Sequence, residues 1–196
     1  MKIIYADFCH TIVSRFTLGW YIRFLLAKRL RLVTLLLFRL GLCSLDYAVA
    51  RATKDISIKK RLELATAFSR KLDPFLKDEV LRILLSYKSK GFQIIWVSAG
   101  LSEYIEVFAN RFDIGGERYI TSTVDEGDFN NMYGERKLSA IKIFESVNKV
   151  DLSCAISDHI SDLPMLEHCN EAIVVTGPNK ELIEVGKKRL WRIIEC

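Results

Sequence analysis

Ile3-Ile4-Tyr5-Ala6-Asp7-Phe8-Cys9-His10-Thr11 is the stretch on which the fold turns. Ile3 to Phe8 is short, apolar and partly β-branched, which predicts a buried strand rather than a helix, and the run carries an acid at its end. Working outward, Phe92 to Val97 repeats the pattern and runs into Ser98-Ala99-Gly100, and Leu152 to Ile156 ends on Ser157-Asp158. Tyr119 to Val124 and Ala172 to Val175 read as further strands. Between them lie amphipathic stretches: Lys77 to Lys90, with Val80, Leu81, Leu84 and Leu85 at helical spacing and Gly91 as the stop, then Ser102 to Arg111, Lys137 to Val147 and Lys180 to Arg189. Strands that are apolar throughout and alternate with helices predict an α/β, Rossmann-like parallel sheet covered on both faces. No internal repeat is visible.

Residues 14 to 72 break this alternation. They read as several helices, interrupted at Gly41, with Asp55 or Ser57 as a cap and Asp73-Pro74 as the close, because a residue before proline is pushed out of the helical region. The expected organisation is therefore 1–11 and 75–196 as the α/β core, with 12–74 as a helical insert after the first strand. The charge divides the same way. The whole chain is at +5, whereas residues 12 to 74 hold 13 Lys/Arg against 4 Asp/Glu, or +9, which leaves −4 elsewhere. No acid occurs between Ile12 and Leu45, yet Phe24-Leu25-Leu26 and Leu32 to Phe38 make this basic stretch strongly apolar. A spanning helix needs ~20 mostly apolar residues, and the run between Arg31 and Arg39 has seven, so a transmembrane span is excluded. Two readings stay open: a core-facing stripe with a solvated basic face, or a peripheral membrane or partner contact. Leu35-Leu36-Leu37-Phe38 likewise reads as core or as a homodimer contact, and no nucleic-acid partner is expected.

With 196 residues, half of them hydrophobic, the chain is long enough for a real core and too apolar to be disordered. Five cysteines without a C-x-x-C pair read as thiols of a reducing compartment, not a disulfide frame or a zinc site. Asp7 comes before any signal-peptide apolar stretch could form, so a cytoplasmic location is expected. Cys154 and Cys169 read as core thiols, Trp20, Trp96 and Trp191 as packing residues, and Gly177-Pro178-Asn179 as a turn into the last helix.

Ligands of open α/β sheets bind beyond the carboxyl ends of the strands, and three strands here end on Asp7, Ser98 and Asp158. With Lys137 opening a nearby helix, these make a pocket of two carboxylates, a hydroxyl and an ammonium. Adjacent carboxylates need a cation, or one must keep its proton. A hard divalent ion meets that need, and magnesium takes one or two carboxylates plus phosphate oxygens. Lysine and hydroxyl then cradle a phosphoryl group, and a carboxylate can serve as nucleophile.

At this point the residues resemble the haloacid dehalogenase superfamily, in its phosphoserine-phosphatase-like branch. The family's first motif, a strand followed by Asp-x-Asp-x-Thr, is matched by Ile3 to Thr11. The second, a strand ending in Ser or Thr, is matched by Ile95-Trp96-Val97-Ser98-Ala99-Gly100. The third is the lysine of Gly134-Glu135-Arg136-Lys137. The fourth, an Asp pair four apart, is matched by Ser157-Asp158-His159-Ile160-Ser161-Asp162-Leu163-Pro164. The resemblance implies a helical cap at 12–74 and a small phosphorylated substrate. It implies Asp7 as nucleophile, with Mg2+ held by the Asp7 and Asp158 side chains and the Cys9 carbonyl. Asp162 would support the metal's water shell or Lys137. Thr11, Ser98, Ala99, Gly100 and Lys137 would surround the phosphoryl oxygens.

Cys9 departs from the pattern. The family's phosphatases usually carry a second aspartate there as general acid and base. A thiol has a pKa of about 8.5 against about 3.9 for aspartate, and losing such help costs ~10²–10⁴-fold in rate. His10 stands where glycine is common, either as a substitute acid/base or as a loop histidine under the cap. Three functions follow: a Mg2+-dependent phosphatase with slow or specialised turnover, a phosphate-binding regulatory protein on a weakened enzyme scaffold, and a membrane-surface phosphatase for lipid-linked phosphates.

Overall fold

The computed structural model describes residues 1–29, 31–125 and 128–196. Strand β1 (Lys2–Ala6) lies at the centre of a seven-stranded sheet and pairs in parallel with β2 (Phe92–Leu101) on one side and β5 (Leu152–Ser157) on the other. Beyond β2 come β3 (Arg118–Asp125), parallel, and β4 (Asp128–Asn130), antiparallel. Beyond β5 come β6 (Glu171–Val175) and β7 (Arg192–Ile194), both parallel, giving the order β4-β3-β2-β1-β5-β6-β7. This is the expected α/β Rossmann-like sheet.

The unbroken apolar runs follow from burial on both faces. Ile4, Ala6, Ile94, Trp96, Cys154 and Ile156 enter one hydrophobic cluster, whereas Ile3, Tyr5, Ile95, Val97 and Ala155 enter the cluster on the opposite face. Every one of these side chains is almost wholly buried.

Helices α1 (Thr17–Lys28), α2 (Leu32–Arg39), α3 (Leu45–Thr53) and α4 (Ile58–Ser69) follow β1. The Ser57 hydroxyl caps α4 by accepting the Lys60 amide, and Gly41 adopts φ +70° at the break after α2. The expected stop at Asp73-Pro74 falls slightly later. Pro74 sits inside a 3-10 turn (Arg70–Phe75) whose φ its ring already satisfies, and the chain extends again at Leu76. There the two ends of the insert meet: the Ser14 amide donates to the Phe75 carbonyl, the Lys77 amide donates to the Ile12 carbonyl, and Val13 bridges Leu76.

The remaining helices are α5 (Asp78–Ser89), α6 (Ser102–Arg111), α7 (Glu135–Val147), α8 (Leu163–His168) and α9 (Lys180–Lys188). The short elements β4, α8 and β7 were not expected from the sequence; each is too brief to show a period. The strand expected to end at Val97 continues through Ser98-Ala99-Gly100 to Leu101, with a register shift against β3. Among the described residues, no helix is long and apolar enough to cross a membrane.

The insert does not keep a core of its own. Leu18, Tyr21, Ile22 and Phe68 join the same cluster as Phe8, Trp96 and Tyr104. The Tyr21 and Phe68 rings meet at a tilt, 4.9 Å between centroids, and each meets Tyr104 of α6, at 4.8 and 5.3 Å. Glu103 adds a polar tie, accepting from Tyr21 at 2.6 Å and from Arg61 of α4 at 2.8 Å. Truncating Phe68, buried at the centre of this junction, leaves a large cavity. Phe68→Ala is expected to lower stability by ~3–5 kcal/mol in urea unfolding; a loss under ~1 kcal/mol would show that the junction carries little of the fold.

Candidate active site

Register sets the site. Ala6 is level with Trp96 and Ile156, so Asp7 emerges level with Val97 and Ser157, while Ser98 and Asp158 lie one residue further along their strands. The winding direction of the sheet reverses between β1 and β5. Such a switch point opens a crevice, and Asp7 and Asp158 flank it. Past Asp7, Phe8 is clamped edge-on by Trp96, Tyr104 and Phe108 at 5.3–6.0 Å. The chain then turns at His10, φ +57°. That left-handed conformation is open to glycine and strains most other residues, with histidine among the more tolerant.

Two carboxylates share one ammonium, and a third acid joins them through a threonine hydroxyl. Lys137, at the start of α7, donates to Asp7 Oδ1 at 2.8 Å and to Asp162 Oδ2 at 2.7 Å, and all three side chains are buried. Ser157 donates to the same Asp162 oxygen at 2.7 Å. The Thr11 hydroxyl lies between the other two acids, 3.1 Å from Asp7 Oδ2 and 2.9 Å from Asp158 Oδ1. One hydroxyl proton serves only one of these contacts at a time. The second needs a proton on the carboxyl, and the Asp158 pKa agrees: burial, reinforced by the Asp7 charge, pushes it up to about 7. Burial also pushes Asp7 up, against the pull of Lys137. Burial disfavours the Lys137 ammonium, but Asp162 and Asp7 outweigh it and hold its pKa above the ordinary lysine value.

Asp158 Oδ2 is buried and, among the described residues, has no hydrogen-bond partner. A buried, unpaired carboxylate oxygen beside a second carboxylate fits a hard cation. Among the described residues no three His, Cys, Asp or Glu side chains form a ready metal cluster. Oxygen donors from two neighbouring carboxyl groups, Asp7 and Asp158, are of the kind magnesium takes, since it keeps several waters and needs few carboxylates. Asp162 is committed to Lys137 and Ser157, which makes it the anchor of that lysine.

Cys9 does not stand free in the cleft. Its Sγ lies 2.9 Å from Thr17 Oγ1, which is 2.8 Å from the Tyr104 hydroxyl. Burial and the Asp7 charge push the thiol up to about 11, so it is a neutral donor near pH 7 and no base. His10 is pushed below its usual value, first by burial and then by Lys77, His159 and Arg15, so its imidazole is neutral. A cleft of about 330 Å³ is walled by Asp7, Cys9, His10, Ala99, Lys137, Asp158 and Asp162 together with Phe16, Tyr133, His159, Ser161 and Pro178.

Two expected substrate contacts sit differently. Thr11 is fully buried, its hydroxyl spent on the two acids, and Ser98 is fully buried, accepting the Gly100 amide at 3.2 Å. Gly100 itself lies under the Tyr104 hydroxyl, which a Cβ would strike at 2.3 Å.

Sequence reasoning missed Gly177 and Lys77. A Cβ on Gly177 would meet Asp158 Oδ2 at 2.5 Å, so only glycine lets the segment after β6 pass beside that carboxyl; its place two residues past an apolar strand was the available signal. Lys77 is buried, donates to the Thr176 carbonyl at 2.8 Å and lies in the field of Asp158. No sequence pattern marks it, because it looks like the first residue of an exposed helix.

The sequence matches the family of haloacid dehalogenase-like hydrolases over residues 4–167. The chain belongs to that family. Comparison with curated proteins finds no match. Among solved structures, a Bordetella pertussis Tohama I protein of unknown function superposes with TM-score 0.77 at 17% identity, covering 98% of this chain and 97% of that one. A phosphoserine phosphohydrolase-like protein from Francisella tularensis subsp. tularensis SCHU S4 gives 0.65 at 22% identity, over 98% and 94%. A substrate-bound phosphoserine phosphatase gives 0.63 at 14% identity, over 98% and 92%. At such identities the likeness is one of fold.

The raised Asp158 pKa predicts a pH dependence of stability. The folded state holds this proton up to about pH 7 and the unfolded chain only to about pH 4. Stability from this group is therefore complete below about pH 4 and falls as pH rises to about 7, by on the order of a few kcal/mol. In chelator-treated protein, thermal melts of Asp158→Asn are expected to lack that decline; a profile parallel to wild type would place the effect elsewhere.

Proposed function

We propose that this family member is a Mg2+-dependent phosphomonoester hydrolase working through an aspartyl-phosphate on Asp7, with Cys9 in the place of the usual general acid/base. The observation that carries the reading is the single cluster in which Lys137 and Thr11 fix both oxygens of Asp7. A carboxylate so held cannot rotate, and it meets the phosphorus of a small phosphate ester entering the cleft.

The Asp7 and Asp158 side chains and the Cys9 carbonyl would hold Mg2+, which when bound supplies positive charge against the two anions that meet during attack. Lys137, fixed by Asp162, keeps one N–H beyond its two carboxylate bonds for a phosphoryl oxygen. The Gly100 region and the Ala99 wall close the cleft beside it, and residues 12–74 act as its cap. As an Asp7 oxygen bonds to phosphorus, the ester oxygen departs with the bonding pair and needs a proton. Cys9 can donate one, but its thiolate, with a pKa near 11, is too costly to form for this to be efficient. In the second step water attacks the phosphorus, releasing inorganic phosphate and restoring the Asp7 carboxylate. The neutral His10 imidazole in the cavity wall is a base able to take that proton. Turnover is thus expected to be fast only for leaving groups that need little protonation.

The Thr17 hydroxyl next to Cys9 Sγ could equally donate to a carboxylate at position 9. Cys9→Asp is therefore expected to raise hydrolysis of alkyl phosphates ~10²–10⁴-fold while changing an activated aryl phosphate much less, and Asp7→Asn is expected to abolish both. Phosphate release with and without Mg2+ reads this directly. No Mg2+-dependent turnover by either wild type or Cys9→Asp would instead assign the protein to phosphate binding without catalysis.

A further inference from the structure

The outer face of α2 is built backwards for a soluble helix. Thr34, Leu35 and Phe38 turn inward, which satisfies the core, yet the opposite face carries Leu32, Val33, Leu36 and Leu40. Leu32, Leu36 and Leu40 stand four apart and Val33 lies beside them, so they form one stripe. Past the φ +70° turn at Gly41, Leu42 extends it. All five are between 57 and 74% exposed. Scattered apolar residues need no account, but a contiguous aliphatic patch marks a contact surface.

The charge around the stripe says what contact. Arg39 is exposed on its edge, and Arg23 lies over the Phe38 ring at 5.5 Å, on the flank of α2. The sequence holds no acid from Ile12 to Leu45, and Asp46 is the first. A second copy of this chain meeting the same face would set these cations against their own kind. An anionic surface with an apolar interior satisfies both features together. We propose that α2 and the turn after it dock the protein on an anionic lipid bilayer, the aliphatic stripe entering the headgroup–acyl boundary and Arg39 and Arg23 facing the lipid phosphates. This inference does not depend on the reaction proposed above. The axis of α1 spans the distance from Phe16, on the cleft wall, to the α2 corner, ~18 Å for its twelve residues, so the docked face and the cleft mouth are separate.

The test is co-sedimentation of the full chain with vesicles of equal parts phosphatidylglycerol and phosphatidylcholine, against phosphatidylcholine alone. Binding is expected to the anionic vesicles at about 20 mM salt and to weaken strongly at about 0.5 M, where charges are screened within a few ångströms. Leu36→Ser with Leu40→Ser should lower partitioning ~10-fold or more. Arg39→Gln should lower it roughly five-fold on anionic vesicles only. These positions are exposed, so melting temperature should be unchanged; if the double variant fails to fold, Leu42→Ser reads the same face. Absence of binding at low salt, or equal binding by the variants, overturns the proposal. So does a wild-type dimer that the double variant dissociates and that binds no vesicles, since the stripe then serves a second copy.

Discussion

Everything at the cleft depends on an excess of buried negative charge. Asp7, Asp158 and Asp162 sit within bonding reach of one lysine and one threonine hydroxyl. Burial and the Asp7 charge raise the Asp158 pKa, and among the described residues its Oδ2 has no hydrogen-bond partner. That arrangement is unfavourable as a structural element, because a buried carboxylate without a partner loses its hydration for nothing. Buried titratable groups held at such a cost are characteristic of functional sites.

The same logic explains the tightness of the surroundings. Gly177 and Gly100 are glycines because Asp158 and Tyr104 occupy the volume a Cβ would need. Phe8 is wedged among three aromatic rings, so the loop carrying Cys9 and His10 cannot drift from the strand ends. Tyr104 links two jobs. Its ring joins the insert to the sheet, and its hydroxyl ends the chain from Cys9 through Thr17. The residue at position 9 is thus coupled to the packing of residues 12–74 against the core, and a carboxylate there would find a hydroxyl already in place.

Much of the fold was legible because its signals are local. The strands at Ile3, Phe92 and Leu152 are buried on both faces and announce themselves as unbroken apolar runs, and the helix of Lys77 to Lys90 shows its period and its glycine stop. The short pieces β4, α8 and β7 were not legible, since three to six residues carry no period and their geometry is imposed by neighbours. Pro74 shows the opposite failure: a strong local rule placed the boundary, and a 3-10 turn accommodated the ring. At the site, Asp7, Lys137, Asp158 and Asp162 could be named from motif order, whereas Gly177 and Lys77 could not, because nothing in their own surroundings in sequence reveals a carboxyl packed across the sheet.

What the sequence by itself determined is which chemistry is available: acids at the ends of two apolar strands and a serine at the end of a third, a lysine opening a helix, a thiol where an acid is usual. Those follow from residue identity and spacing along the chain. Only the tertiary structure decided how the groups are used. It turned the Thr11 hydroxyl onto two carboxylates and Cys9 onto Thr17, and it left the aliphatic face of α2 in water while Leu18, Tyr21, Ile22 and Phe68 of the insert went into the core. Such choices are made by contacts between residues far apart in sequence, where register, packing and desolvation act, and no local pattern records them.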